Sequence, residues 1–198
     1  MPTRSLLSAL TRRETLLHSS PAGLSSHESL LARLSVTHTL SPHDGCVNTV
    51  AWSADATLLL TGSDDLSVKI HDAATLRVRG CLQTGHSHNV FDARFVPCSN
   101  NERIATTAAD GQVRLLNVER NQRTSTLSGS SACLFSGHAS GMGLRLCFAT
   151  PTTFLTTHGD GRIRFFDLRV PSASVLVDFS TAGAGLYQVT YVYDNIVI

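Results

Sequence analysis

A chain of 198 residues, 42% hydrophobic and 16% charged, has the length of one domain with a tail and is too apolar to be disordered. Its formal net charge of +1 gives no electrostatic footprint for nucleic acid or an acidic membrane surface. No apolar run approaches the roughly 18 residues that cross a bilayer, and the five cysteines (46, 81, 98, 133, 147) never fall in Cys-x-x-Cys pairs, so they read as reduced, mostly buried thiols of a cytosolic or nuclear protein.

The cations are fifteen arginines and one lysine, Lys69. Arginine suits forked recognition of carboxylates, and skewed codon usage explains the same count. The leader "MPTRSLLSALTRRETLLHSS" is rich in Arg and Ser with one acid, Glu14, a weak likeness to a transit peptide. Within it Leu6, Leu10 and Leu17 fall on one side of a helix, with Leu7 beside them. After the loop "HSSPAGLSS", Ser25 and Glu28 form a capping box ahead of Leu30, Leu31 and Leu34, which predicts a second short helix. Residues 1–33 therefore read as an N-terminal helical segment. "LSVTHTL" (34–40) alternates Leu34, Val36, His38 and Leu40 and reads as a strand.

Three similar stretches follow. They are "PHDGCVNTVAWSADATLLLTGSDDLSVKIHD" (42–72), "GHSHNVFDARFVPCSNNERIATTAADGQVRLLN" (85–117) and "GHASGMGLRLCFATPTTFLTTHGDGRIRFFD" (137–167). Each opens on Pro-His or Gly-His. Each continues with an apolar strand, a strand ending in small residues, an Asp turn and a third strand of alternating apolar positions. The turn aspartates Asp65, Asp110 and Asp160 lie 45 and 50 apart, and His43, His86 and His138 lie 43 and 52 apart. The surplus residues fit loops such as "PCSNNER" and "SGSSACLFS". "VKI", "VRLL" and "IRFF" are β-branched and aromatic on alternate positions. "DG" at 110–111 and 160–161 permits the positive φ of a tight hairpin, and "DD" at 64–65 does so less comfortably. "LYQVTYVYDNIVI" (186–198) alternates Tyr187, Val189, Tyr191 and Tyr193 and reads as a strand that opens a further unit or forms a tail.

A repeat of 40–45 residues with four strands is the sequence signature of a β-propeller blade. The three units resemble WD repeats, and the resemblance implies an all-β fold. That fold is a partial WD-repeat propeller of about three blades (42–80, 85–123, 137–170) inside 34–180, with 181–198 left over. In that family the Gly-His histidine, the turn aspartate, a strand Ser/Thr and the Trp of Trp-Asp share hydrogen bonds. Here His43 and Asp65 with Thr61 or Ser63, His86 with Asp110, and His138 with Asp160 take those places. The Trp is replaced by His71, Leu116 and Phe166, so the networks should be incomplete and the hairpins held more by packing. Residues 34–40 take the place of the outer strand of a neighbouring blade. Propellers close with about 4–8 blades. Three blades imply a truncated product, or closure by oligomerisation or by a partner.

The wording is closer still to one subgroup. "HDGCVNTVAW", "TGHSHNVFDARFVP" and "TFLTTHGDGRIRFFDLR" are similar to the WD-repeat substrate receptors of cullin-4 ubiquitin ligases, including the type that also carries tetratricopeptide repeats. In those proteins a box ending Trp-Asp-x-Arg docks the ligase adaptor. Phe154, Leu155, Thr156, Thr157, Asp160, Ile163, Phe165, Asp167, Leu168 and Arg169 match it, while His158 and Phe166 depart. Glu119 disqualifies the second unit. The resemblance implies adaptor contacts from Phe166, Asp167 and Arg169, and from Leu6 and Leu10 on a helix laid into an adaptor groove. The plainer readings are an Arg–Asp pair within the chain or an idle charge, and a leader packed on its own propeller.

Catalytic signatures are missing from the sequence: no Gly-x-Ser-x-Gly, phosphate loop, His-Glu-x-x-His or Gly-x-Gly-x-x-Gly occurs. The His–Asp pairs read as turn pins, and His86-Ser87-His88 has no third ligand cluster for a metal. The expectation is a non-enzymatic module without cofactor. It docks the adaptor and the cullin-4 complex and presents a protein substrate from loops such as 42–47 and 85–91. A WD-repeat scaffold unrelated to ubiquitination, or a truncated product without function, are the alternatives.

Overall fold

The computed structural model describes residues 32, 35–120, 127–136, 141–180, 190–192 and 195–197. The expected N-terminal helices, with Leu6 and Leu10, and the third-unit histidine, His138, lie outside them. The chain divides into two units, 1–40 and 41–198. In the first, residues 35–40 form no strand, and Val36 is 86% exposed. The strand read from the alternation of 34–40 is thus corrected. Alternation marks two faces, but a strand also needs a neighbour for its backbone hydrogen bonds, and none pairs with it among the described residues.

The second unit is built of repeated four-stranded antiparallel sheets. The first blade is β1 (Val47–Trp52), β2 (Leu58–Ser63), β3 (Ser67–Asp72) and β4 (Val78–Gln83). The second is β5 (Val90–Phe95), β6 (Arg103–Ala108), β7 (Gln112–Arg120) and β8 (Leu127–Ser136), and the third is β9 (Gly143–Phe148), β10 (Thr153–His158), β11 (Arg162–Asp167) and β12 (Val170–Asp178). Blades one and two touch edge to edge at a single parallel bridge, Gly80 to Leu127. Only glycine fits there, because a Cβ on residue 80 would sit 2.6 Å from the Cβ of Leu127.

Strand β8 corrects a second expectation. "SGSSACLFS" reads as a loop by its small polar residues, yet it pairs with β7 from Gln112↔Ser136 to Arg120↔Leu127. An outer strand packs little of its surface, so it needs few apolar residues to be held by its ladder. The end of the chain differs too: the single strand expected there is two, β13 (Thr190–Val192) and β14 (Asn195–Val197), paired antiparallel.

The core lies between blades, where the sheets stack face to face. Leu60, Val68, Ile70 and Leu82 of blade one meet Val90, Ala93, Ile104 and Leu116 of blade two. Val96, Ala105, Val113 and Leu115 of blade two meet Leu146, Phe154 and Phe166 of blade three. Aromatic geometry tightens the second layer: Phe166 stacks on Phe154 at 4.9 Å, and Phe135 of β8 meets Phe166 edge-on at 5.9 Å. The cysteines are not core residues. Cys46, Cys81, Cys98 and Cys133 are exposed and Cys147 is half-buried, because they fall in turns or on the outward side of their strands.

The hairpin turns carry positive φ on the residue after the aspartate. Gly111 sits at 73° and Gly161 at 77°, and in blade one Leu66 takes 64°. The strain of blade one therefore falls on Leu66 rather than on Asp64 or Asp65. A leucine in the left-handed region costs roughly 1–2 kcal/mol that glycine does not.

Candidate protein-docking site

Each turn aspartate is locked before anything reaches the rim. In blade one His43 Nδ1 lies 2.8 Å from Asp65 Oδ2, and His43 Nε2 lies 2.8 Å from Thr61 Oγ1. Thr61 Oγ1 in turn lies 3.1 Å from His71 Nε2. A carboxylate only accepts, so the proton of His43 is on Nδ1 and its Nε2 accepts from the Thr61 hydroxyl. His71 then donates from Nε2, which leaves its buried Nδ1 as a bare acceptor with no partner. This network is complete, contrary to expectation, because His71 donates where the family's tryptophan would. Burial depresses the pKa of His71, helped by the nearby His43 and Lys69.

Blade two repeats the arrangement and stops short. His86 Nδ1 lies 3.1 Å from Asp110, and Nε2 lies 2.9 Å from Thr106 Oγ1. Leu116 offers no fourth member. Burial lowers the pKa of His86 against the opposing pull of Asp110. In blade three the imidazole on the strand threonine is that of His158, the residue that breaks the family pattern. His158 Nε2 lies 2.7 Å from Thr156 Oγ1, and Nδ1 lies 3.0 Å from the carbonyl of Gly141. Burial depresses its pKa to about 4. Asp160 is taken by Arg164, whose Nη2 lies 2.6 Å from Oδ2. All three imidazoles thus carry Nδ1–H and accept a threonine hydroxyl at Nε2. Their partners are spent in pinning turns. Among the described residues no group of His, Cys, Asp or Glu is placed to hold a metal ion.

At the far end of β11 the chain turns, and Asp167 and Arg169 close on each other. Arg169 Nε lies 2.9 Å and Nη2 2.6 Å from the two oxygens of Asp167. The Arg169 side chain is 69% exposed. Its side-chain hydrogen bonds first, then the Arg169 amide and last the nearby charge, hold Asp167 at about 2. Phe166 is not at this surface: it is 3% exposed, in the core beneath. Register explains the split, since Phe166 pairs with Phe154 on the inward side while Asp167 pairs with Thr153 at the open end of the strand. In blade one the matching aspartate, Asp72, is instead bound by Arg79 of β4, with Nη2 at 2.5 Å from Oδ2. Blade two has Asn117 and Glu119 at these positions.

One functional residue escapes sequence reading altogether. Asp92 on β5 is fully buried. Its Oδ1 accepts the hydroxyl of Thr49 on β1 at 2.7 Å, and its Oδ2 accepts the amide of Leu146 on β9 at 2.9 Å. One carboxylate therefore ties three blades together.

The family described as WD domain, G-beta repeat matches residues 34–72 and 79–117. Among curated proteins the chain is 33% identical over 149 residues to human "DDB1- and CUL4-associated factor 6", covering 75% of this chain and 17% of that protein. It is 30% identical over 154 residues to human "WD and tetratricopeptide repeats protein 1", covering 76% of this chain and 21% of that one. The chain thus spans about a sixth to a fifth of the length of these relatives. Among solved structures, the crystal structure of the WD40 beta propeller domain of Doa1 superposes with a TM-score of 0.51 at 22% identity, over 68% of this chain and 40% of that one.

Proposed function

On the premise that this chain carries WD40 repeats, we propose that it is a non-enzymatic interaction module that docks a DDB1-type adaptor of a cullin-4 ligase and presents a protein substrate to it. The docking contact is Asp167–Arg169 at the end of the third blade. One observation carries this: of the three blade ends, only the third offers an aspartate with a solvent-facing arginine two residues on. The pair is pre-formed: Nε and Nη2 are held by Asp167, which fixes the guanidinium and leaves its Nη1 side to meet a carboxylate or carbonyl of a partner. The likeness to a protein whose name ties it to DDB1 and CUL4 supports the same reading. The reading is non-enzymatic: His43, His86 and His158, with Asp65, Asp110 and Asp160, are engaged in holding turns. Exposed thiols at Cys46, Cys81, Cys98 and Cys133 suit a reducing cytosol or nucleus.

A competing reading, a scaffold that never meets the ligase, is favoured by the closure of Arg169 on its own Asp167. Surface pairs of this kind often do nothing measurable. Purified DDB1 decides between them in a surface-binding titration. Docking predicts measurable affinity for the wild type and a loss of about thirty-fold or more for Arg169→Glu, the cost of opposing charge in a desolvated contact. Equal binding by both proteins, or none by the wild type, leaves the scaffold.

A further inference from the structure

The innermost strands of the blades, β1, β5 and β9, line a cavity of about 540 Å³, within the range of small-ligand sites. Its wall carries two guanidinium groups, Arg94 and Arg145, and one carboxylate, Asp92. That carboxylate is already occupied by Thr49 and the Leu146 amide and is fully buried. Arg94 brings only its Nε near it, 3.2 Å from Oδ1, and that N–H is too poorly aligned for a hydrogen bond. The two terminal nitrogens of Arg94 have no partner among the described residues, and its side chain is 42% exposed. Arg145 spends Nη1 on the carbonyl of Phe91 at 2.7 Å, which leaves its other donors open. Beside them stands Trp52, 60% exposed, with Phe148 on the same wall.

This is an unusual balance for a cavity wall. Two cations face one acid that is turned away into the blade junction, so the cavity carries a net positive charge and unspent fork donors. Planar guanidinium donors match a carboxylate bidentately. A partly enclosed wall strengthens such a contact relative to open water, and an exposed indole adds flat apolar area beside it. The neighbouring blades show that the arginines are not demanded by the fold: blade one has Ala51 where blade two has Arg94, and Thr49 where blade three has Arg145.

We propose that this cavity binds the carboxylate of a peptide, with Arg94 and Arg145 as its ligands and Trp52 packing on the adjoining residue. The carboxylate comes either from an acidic side chain or from a free C-terminus. The site lies on the innermost strands, apart from Asp167 and Arg169, and does not depend on adaptor docking.

Three labelled peptides with one tryptophan-containing backbone test it by fluorescence anisotropy against the whole chain. One has internal aspartates and an amidated end. One has asparagines and a free C-terminal carboxylate. The last has asparagines and an amidated end. The expected result is that the first or the second binds about ten-fold or more tighter than the fully neutral peptide, and the tighter one identifies the source of the carboxylate. Arg94→Gln and Arg145→Gln, with unchanged melting temperatures, each weaken that binding by about ten-fold or more. Where a variant does not fold, the wild type decides: raising salt from about 0.05 M to about 0.5 M weakens the acidic peptide and spares the neutral one. Equal binding of all three peptides, or full binding by folded Arg94→Gln, or salt-insensitive binding of the acidic peptide, overturns the proposal.

Discussion

Burial favours the neutral imidazole at His71, His86 and His158, and acid should expose that. The free side chain of His158 titrates near 6.5, whereas burial in the third blade lowers this to about 4. Between those values the unfolded chain binds more protons than the folded one, so stability falls as pH falls. His71 and His86 shift in the same direction, also through burial. The contribution of His158 is fully present above pH about 6.5 and is lost on the way to about 4, and those of His71 and His86 are lost in the same direction as pH falls. The carboxylates act lower. Burial alone would raise Asp65, but hydrogen bonds from Ser67, His43 and the Asp44 amide outweigh it and hold it at about 2, so its contribution is lost only below the usual 3.8. The melting temperature should therefore drop between pH 6.5 and 4, ahead of any carboxylate step. His158→Gln, which keeps a polar contact to Thr156 and cannot titrate, should flatten that slope. An unchanged slope in the variant means that His158 is charged in the fold.

The hairpins show what a sequence discloses and what it hides. Asp-Gly at 110–111 and 160–161 was enough to place two turns, because glycine advertises the positive φ it supplies. Leu66 gives no such signal and still adopts 64°, held there by Asp65, whose carboxylate accepts the Ser67 amide at 3.0 Å. Replacing Leu66 with Gly should raise stability by up to about 1 kcal/mol, and Gly111→Leu should lower it by about 1–2 kcal/mol. Calorimetry would show shifts of opposite sign, roughly 2–4 °C per kcal/mol for a chain of this size. Shifts of the same sign would mean that the side-chain packing of Leu66, not its backbone, sets the outcome. The second strands β2, β6 and β10 and the blade repeat are legible because burial on both faces leaves mostly apolar and small residues along them. The outer strand β8 is not, since "SGSSACLFS" (128–136) reads as a loop and becomes a strand only through its ladder to β7. The end of β11 is half legible: Asp167 and Arg169 lie at the surface as the motif implies, but Phe166 belongs to the stack with Phe154.

Blades join through contacts between residues far apart in the chain, and there the sequence is silent. Asp92 reaches Thr49, 43 positions back, and the Leu146 amide, 54 positions on. Nothing in "NVFDARF" marks this acid as buried; on periodicity alone it is a polar position on a strand. Asp92→Ala strands a hydroxyl and an amide between three sheets, at about 1–3 kcal/mol for each unsatisfied group. The chain should lose several degrees of melting temperature and the sharpness of a single transition, because this one carboxylate bridges all three blades. A variant that melts as sharply and as high as the wild type removes Asp92 from that role. Blade stacking bears on the proposed docking because it packs Phe166 and Phe154 of the third blade against the second while Arg169 stays exposed. The most direct measurement is hydrogen–deuterium exchange of the chain with and without DDB1. Docking through the third blade predicts slowed exchange over residues 162–170, with β1 and β2 unchanged. Protection confined to the first blade, or none anywhere at saturating DDB1, contradicts it.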